Sequence, residues 1–321
     1  MMPTDVHAAA SPYFSTPVTQ FSSLRLLSDS QEKVSRGTTD FPCCAYICDF
    51  GRVAAGIYPM HWHNELQFTV TGQNSLSVQV NSETVVLSPG EGIFINSRAF
   101  HSIESATPGS GERLDIIFEP NLLYGTHQSV FYQKYVSPLL GCRSLPYVKL
   151  PADSDFGRDM LAQFHRAFLA CQAQPFGFEL ETRDALSAAL LLICRNFRQE
   201  ILASAGSSDS REIRVRQMVN YIYKNYQKPL TLGQIAASAS VSERECFRCF
   251  HEILNTTPVA FLKRHRVTAA LALLEDSSNT ISDVCYLSGF NTPSYFIKSF
   301  REFMHCTPAE YRSLLASGSR P

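Results

Sequence analysis

The sequence predicts an α+β protein in which an N-terminal β-barrel and helices precede an all-α domain with two helix-turn-helix units. Three observations support this prediction. Short apolar runs alternate with turn sequences up to about residue 150, helical periodicity begins at about residue 154, and the last third of the chain repeats itself at a period near 50. The chain has 321 residues, enough for two domains that each bury a core.

Composition and hydropathy exclude several protein classes. Hydrophobic residues make up 45% of the chain, which excludes a disordered protein. The longest apolar run, 185–194, is shorter than the roughly 18 residues that cross a bilayer, so we expect no membrane contact. The first 20 residues lack the pattern of a secretory signal, and the ten cysteines are scattered. We therefore expect a cytoplasmic protein with reduced thiols.

The net charge of -1 is unevenly distributed along the chain. Residues 209–321 contain 14 Lys and Arg against 10 Asp and Glu, which leaves 14 against 19 for residues 1–208. A basic C-terminal part is compatible with nucleic-acid binding, although a charge count alone cannot establish it.

The elements follow in order. Residues 1–150 are predicted to form a small barrel or sandwich, because short β-prone runs are separated by turn sequences at 71–74, 81–82 and 88–92. Two amphipathic helices follow in residues 151–202, the second over about Phe178 to Leu202. The stretch 203–210 is rich in Ser and Ala and predicts a flexible linker.

The last part, residues 211–321, contains an internal repeat. Equivalent positions lie 50 residues apart at Phe250 and Phe300, Thr257 and Thr307, and Phe261 and Tyr311. Each copy predicts a short helix, a turn of small residues and a longer helix, which is a helix-turn-helix. Ser242 followed by Glu245 predicts a capping box on the first longer helix, and Thr292-Pro293 predicts the start of the second.

The longer helix of each copy has an outward face suited to DNA. Basic residues there can meet phosphates or guanine edges, and apolar ones can contact a thymine methyl group. The predicted DNA-binding residues are Glu243, Arg244, Phe247 and Arg248 in the first copy, and Pro293, Ser294, Ile297, Lys298 and Arg301 in the second. The alternative is a helical interaction domain with a solvated basic face, but two capped copies in register with apolar outward residues favour DNA.

The residues from Ile213 to Leu315 resemble the paired helix-turn-helix domain of the AraC/XylS family of bacterial transcription regulators. The most specific match is 289–300, continued at 307–312. The resemblance implies that both recognition helices enter successive major-groove segments of double-stranded promoter DNA, through the outward residues named above. Asn255 and His305 stand where the family usually has glycine, and both residue types tolerate positive φ better than most.

Polar residues of the N-terminal part predict an effector site. Side chains alternate along a strand, so we expect four of them to share one strand face, with His101 joining from beyond a turn; the four are His61, His63, Glu65 and Gln67. This pattern resembles the cupin barrel, whose metal-binding members have glutamate at the position of Gln67. Because glutamine is a poorer metal ligand, we expect no metal or other cofactor, and a small-molecule effector instead.

The resemblance implies an effector-responsive, sequence-specific transcription regulator that is not an enzyme. It divides the chain into a sensing barrel, a helical dimerisation segment, a linker and a DNA-binding domain, at 1–150, 151–202, 203–210 and 211–321. It implies a homodimer through the helix around 178–202, whose alternative role is intramolecular packing, and it allows RNA polymerase as a further partner. Two other functions stay open: a metal-dependent cupin enzyme with an accessory helical domain, and a constitutive DNA-binding protein.

Overall fold

A computed structural model describes residues 37–38, 40–52, 57–107, 110–203 and 210–316. The regular elements among the described residues up to 150 are mostly strands. The strands are β1 (Cys43–Asp49), β2 (Ile57–His61), β3 (Leu66–Thr71), β4 (Leu76–Val80), β5 (Glu83–Leu87), β6 (Gly92–Ile95), β7 (His101–Ser105), β8 (Glu112–Phe118) and β9 (Tyr147–Leu150).

The strands form two antiparallel sheets, in the orders β1-β8-β3-β6-β9 and β2-β7-β4-β5. Apolar side chains of both sheets meet in one buried cluster, with Val78 and Ile103 from the smaller sheet and Ile95 and Ile117 from the larger one. Alternating residues bury this face because side chains along a strand point to opposite sides. The predicted β-rich N-terminal part is confirmed, as two facing sheets.

Helices and helical turns follow the described strands or interrupt them. They are a 3-10 turn (Phe50–Arg52), α1 (Asn121–Tyr124), a π-helical turn (Tyr132–Val136), α2 (Ser137–Gly141), α3 (Asp155–Ala173), α4 (Phe178–Asn196) and α5 (Arg198–Ala203). Ser154 caps α3, since its side chain accepts a hydrogen bond from the Gly157 N–H at 2.9 Å. Phe164 of α3 packs 6.5 Å from Phe68 of β3, ring to ring, so α3 covers the outer face of the larger sheet.

The C-terminal part is helical, as the sequence predicts. Its helices are α6 (Ser210–Asn225), α7 (Leu232–Ala237), α8 (Glu243–Leu254), α9 (Pro258–Glu275), α10 (Ile281–Leu287), α11 (Pro293–Met304) and α12 (Pro308–Ala316). α7 and α8 form the first helix-turn-helix unit, α10 and α11 form the second, and α9 joins them. Each unit has its own apolar core. None of the helices in the described ranges is both long and apolar enough to span a membrane.

The two-sheet part contacts the first helix-turn-helix unit directly. Met60, Trp62 and Phe100 belong to the same apolar cluster as the buried residues of α6 and α8. The Tyr223 hydroxyl of α6 donates a hydrogen bond to the Met60 carbonyl oxygen at 2.8 Å. Residues 204–209 of the predicted linker lie outside the described residues, so the linker stays a prediction, but the parts that it joins are in contact.

One prediction from the sequence is wrong: a single strand face shared by His61, His63, Glu65 and Gln67. β2 ends at His61, and β3, which belongs to the other sheet, starts only after the turn 62–65. The turn is held from outside, because the Arg98 N–H donates a hydrogen bond to the His63 carbonyl oxygen at 2.8 Å. The chain therefore crosses between sheets at the point where the alternation rule assumed a continuous strand.

Candidate nucleic-acid interface and sensor cluster

The first recognition helix, α8, begins at a side-chain cap. The Ser242 hydroxyl accepts a hydrogen bond from the Glu245 N–H at 3.2 Å. The Glu245 carboxylate does not complete the predicted capping box; it pairs with the Arg248 guanidinium at 2.8 Å, which lowers the pKa of Glu245. Cys246, Cys249 and Phe250 are buried against the core, and the predicted DNA-contacting residues of this helix are exposed: Glu243, Arg244, Phe247 and Arg248.

The second recognition helix, α11, is built in the same way. The Thr292 hydroxyl accepts a hydrogen bond from the Tyr295 N–H at 3.4 Å, and Pro293 occupies the first turn. Phe296 and Phe300 are fully buried. Pro293 is half-buried, and the remaining predicted contact residues are exposed: Ser294, Ile297, Lys298 and Arg301.

The two turns have equivalent backbones. Ser240 and Gly289, 49 residues apart, both have positive φ, at 54° and 85°. In each turn the N–H of the following residue donates to the carbonyl oxygen five positions earlier, at 3.1 and 3.0 Å. The helices then end on left-handed residues, Asn255 (φ 48°) and His305 (φ 56°), so the helix ends form without the glycine usual in the family.

A second candidate site is a group of polar side chains, the sensor cluster, which consists of His61, His63, His101 and Gln67. His61 and His101 are paired across β2 and β7, with ring centroids 4.1 Å apart. The His63 ring lies 5.0 Å from that of His101. One ring nitrogen of each histidine lies within 4.8 Å of the others, and all four side chains are buried. The cluster sits where the turn 62–65 crosses between the two sheets.

The sensor cluster continues into a buried charged pair. His63 Nε2 lies 2.9 Å from Gln67 Oε1, and the Gln67 amide NH₂ donates to Asp115 Oδ1 at 3.3 Å. Asp115 forms an ion pair with Arg113, 2.7 Å between Oδ2 and Nε. Burial alone would lower the pKa of Arg113, but the Asp115 charge raises it on balance above its ordinary value. The Arg113 guanidinium therefore stays protonated inside the protein.

Comparisons with known proteins identify the C-terminal architecture. Residues 235–313 match a family model described as a helix-turn-helix domain. The chain is 27% identical over 285 residues to YdeC, an uncharacterized HTH-type transcriptional regulator of Bacillus subtilis, covering 88% of this chain and 96% of that protein. It is 22% identical over 266 residues to the HTH-type transcriptional activator RhaS of Klebsiella pneumoniae, covering 81% and 90%. The melibiose operon regulatory protein of Escherichia coli is 27% identical over 100 residues, covering 31% and 33%.

The chain is similar to HTH-type transcription regulators along most of its length, and its helical domain resembles that of the AraC/XylS family. It is a DNA-binding transcription regulator, and two exposed helix faces of its helical domain are built in the same way. The predicted recognition-helix residues lie together on these two faces. Whether each contacts a base or a phosphate stays a prediction.

In this regulator, four of the five predicted effector residues converge in the sensor cluster. The fifth, Glu65, lies at its edge, with its carboxylate 3.6 Å from His63 Nδ1. Arg113 and Asp115 were not among the residues predicted from the sequence. Their signal was available, because two charged residues two positions apart in an apolar strand point to the same face.

The connecting helix α9 of this regulator carries a buried histidine. The His265 ring packs 4.0 Å from Tyr223 and 4.6 Å from Tyr226, and neither of its nitrogens has a hydrogen-bond partner among the described residues. Burial, with a smaller contribution from the Arg266 charge, lowers the pKa of His265 from 6.5 to about 3. The helical domain therefore folds with this imidazole neutral.

We expect the protein to lose stability in acid through His265. The unfolded chain takes up a proton near pH 6.5 and the folded chain only near pH 3. The free energy of unfolding is thus insensitive to this group above pH 6.5 and falls as the pH decreases below it, by about 3 kcal/mol at pH 4.5. Urea unfolding of the parent and of His265→Phe at pH 7 and pH 4.5 measures the effect.

His265→Phe keeps a ring between the two tyrosines and should lose most of this pH dependence. His127→Phe is the matched control, because His127 is exposed and contacts aromatic rings of the N-terminal part. An equal loss of stability in acid for the parent and His265→Phe would contradict the assignment.

Proposed function

We propose that this regulator reads promoter DNA with α8 and α11, placed in successive segments of the major groove. The observation that carries the proposal is the equivalence of the two units: each helix is capped, buried on one side and exposed on the other. The proposed DNA contacts are Glu243, Arg244, Phe247, Arg248, Pro293, Ser294, Ile297, Lys298 and Arg301. A helix enters the major groove without distorting it, which fits both faces.

Pairs of equivalent residues support similar roles in the two half-sites. Arg248 and Lys298 are 50 positions apart and both exposed, and either cation can bind a phosphate or a guanine edge. Phe247 and Ile297 are also 50 apart and stay 40% and 37% exposed. An apolar side chain that remains exposed on a helix face is suited to contact a thymine methyl group.

Selection of bound fragments from random double-stranded DNA tests the proposal. We expect an enriched motif with two half-sites about one helical turn apart, because α9 joins the two units within one molecule. Mapping of bound sites across the genome, with and without candidate effectors, then gives the target promoters. Enrichment of a single half-site, or of no sequence, would contradict the use of two recognition helices.

We further infer that the N-terminal part binds an effector at His61, His63, Glu65, Gln67 and His101. A buried set of convergent polar side chains is typical of a ligand site, and it lies against the helical domain rather than at a remote end. The relatives are named as transcription regulators, which supports a cytoplasmic regulator and not an enzyme. A change in the melting temperature with effector concentration would separate a sensor from a constitutive DNA-binding protein.

We also propose that α4 carries a homodimer interface, within a dimerisation segment at 151–202. One face of α4 packs inside the protomer through Leu186 and Ile193. The other borders an apolar groove of about 580 Å³, beside which Leu180 is 73% and Phe131 55% exposed. Such a surface is self-complementary. In a two-fold pair, the exposed Leu180 side chain of each protomer can enter the groove of its partner.

We expect Leu180→Glu to make the protein monomeric at concentrations where the parent is a dimer. Two buried carboxylates per dimer would cost about 3 kcal/mol or more, which weakens the dimer at least about 100-fold. Light scattering over a dilution series measures the change. Leu169→Glu is the control, because Leu169 is 47% exposed on α3 but does not line the groove. Equal oligomeric states for both variants would contradict the α4 interface.

A further inference from the structure

The three histidines of the sensor cluster are oriented by the same kind of contact. Nδ1 of His61 lies 2.8 Å from the Pro59 carbonyl oxygen, and Nδ1 of His101 lies 2.9 Å from that of Ala99. His63 Nδ1 lies 3.1 Å from the carbonyl oxygen of Glu65. A carbonyl oxygen accepts only from an N–H, so in His61 and His101 this contact places the proton on Nδ1 and makes Nε2 the ring nitrogen that can bind an ion. Such support is typical of histidines that bind a metal ion. His63 also meets the Gln67 carbonyl oxygen at Nε2, so an ion bound there would replace that hydrogen bond.

Gln67 adds an oxygen atom to the same place. Its amide NH₂ donates to Thr69 Oγ1 at 2.9 Å and to Asp115 Oδ1 at 3.3 Å. These two contacts point the Gln67 carbonyl oxygen at His63 Nε2, 2.9 Å away. The three imidazoles by themselves suit a divalent transition ion such as zinc, with the Gln67 oxygen as a weaker fourth ligand, which differs from the expectation drawn from the sequence. The site lacks the carboxylates and multiple oxygens that calcium or magnesium need.

Residues that alternate with the histidines contact the DNA-binding part. Met60 and Trp62 flank His61, and Phe100 precedes His101; all three pack in the core of the first helix-turn-helix unit. The Arg216 guanidinium of α6 lies 5.5 Å from the Trp62 ring. Three hydrogen bonds between described residues also cross this contact. They run from Tyr223 to the Met60 carbonyl oxygen at 2.8 Å, from Gln79 to the Leu254 carbonyl oxygen at 3.3 Å and from Arg216 to the Arg98 carbonyl oxygen at 3.4 Å. A ligand that holds the histidines in place would therefore also hold in place the surface against which α6 and α8 pack.

We propose that His61, His63 and His101 bind one divalent transition-metal ion, and that this ion strengthens the contact between the two-sheet part and the first helix-turn-helix unit. The exposed face of α8 stays accessible in this contact. Ordering the unit before it meets DNA removes a cost of association, so the ion should tighten operator binding. The effect on DNA rests on the proposed function, whereas the metal site does not.

Trp62 is the single tryptophan of the chain, and it lies between two of the histidines. A zinc titration of the metal-free full-length protein, followed by tryptophan emission, therefore reports on the cluster and the contact together. We expect a saturable change with one ion per chain. In a parallel cobalt titration we expect d–d bands without thiolate charge-transfer bands, which separates this site from cysteine binding.

Variants locate the ion. His61→Ala and His101→Ala should each weaken zinc binding at least tenfold, and His63→Gln gives a third test in case an alanine variant does not fold. His127→Ala is the matched control, because His127 is exposed and far from these residues in the sequence. No saturable change in the parent, thiolate bands with cobalt, or unchanged zinc affinity in folded cluster variants would overturn the site.

Operator binding with zinc or with a chelator tests the second half of the proposal. We expect zinc to tighten binding at least fivefold, and the operator to tighten zinc binding by the same factor. Tyr223→Phe should reduce this factor while zinc binding without DNA is kept, because it removes the hydrogen bond to Met60 and no histidine. Zinc binding with equal operator affinities would overturn the coupling alone. If the operator is bound in neither condition while zinc still binds, the proposed function fails, and the metal site is supported.

Discussion

Valine at position 289 is expected to abolish specific operator binding. Gly289 has φ 85°, and a Cβ atom there would lie 2.2 Å from the Tyr226 carbonyl oxygen and 2.9 Å from the Gln227 Cα. Both neighbours are backbone atoms of the segment that follows α6, so they cannot rotate away as a side chain would. With the left-handed φ added, we expect a cost of about 3 kcal/mol or more, and a fall in affinity of at least about 100-fold.

The comparison with Ser240 shows that close approach is the main reason for this glycine. Ser240 has the equivalent left-handed conformation in the first turn and carries a side chain. Gly90→Val is the matched control: Gly90 has φ 80°, but no atom lies within 4 Å of its Cβ position. It should lose some stability through backbone strain and keep operator binding. If Gly289→Val bound the operator as tightly as the parent, the assigned role of Gly289 in the turn of the second helix-turn-helix unit would be wrong.

Removing one cation from each recognition helix is expected to have the second-largest effect. Arg248→Ala and Lys298→Ala should each weaken operator binding, by about 1–3 kcal/mol for a base contact and less for a phosphate contact. The double variant should bind at least tenfold more weakly. If both cations meet phosphates, the slope of log affinity against log salt concentration should fall by about 2. Titration of labelled operator at several salt concentrations measures both quantities.

Arg158→Ala provides the control for these two variants. Arg158 on α3 is 56% exposed and pairs with Asp155 three residues earlier, much as Arg248, 59% exposed, pairs with Glu245. It therefore matches the loss of a helix-surface ion pair at a site remote in sequence from both recognition helices. Unfolding midpoints should be similar for all the variants. If the double variant bound the operator as tightly as Arg158→Ala at the same salt concentration, the assigned faces would be wrong.

The helical domain could be predicted in detail because its signals are local. Each recognition helix begins at a cap residue, Ser242 or Thr292, and buries a residue every three or four positions. All of these signals lie within about a dozen residues of the cap. The duplication added a second, independent copy of each signal. The left-handed ends at Asn255 and His305 also followed from the residue types.

The N-terminal site was predicted as a group of residues but with the wrong geometry. His63 and Gln67 do meet, yet they meet across a turn between sheets and not along one strand. That turn depends on a hydrogen bond from the loop around Arg98. Because the two segments lie about 35 residues apart, the alternation of polar and apolar residues within one strand cannot indicate this contact. Trp62 contacts the helical domain. The alternation of polar and apolar residues does not distinguish it from an apolar residue that packs within the two sheets.

The shared cluster of Met60, Trp62 and Phe100 with α6 determines where this protein can be joined to another. A chimera that kept residues up to 203 and continued with a foreign DNA-binding domain would expose these three large apolar side chains to water, which favours aggregation. A graft that carries α6 with the sensor, and rejoins the chain after Asn225, would keep these side chains covered and give the more soluble hybrid.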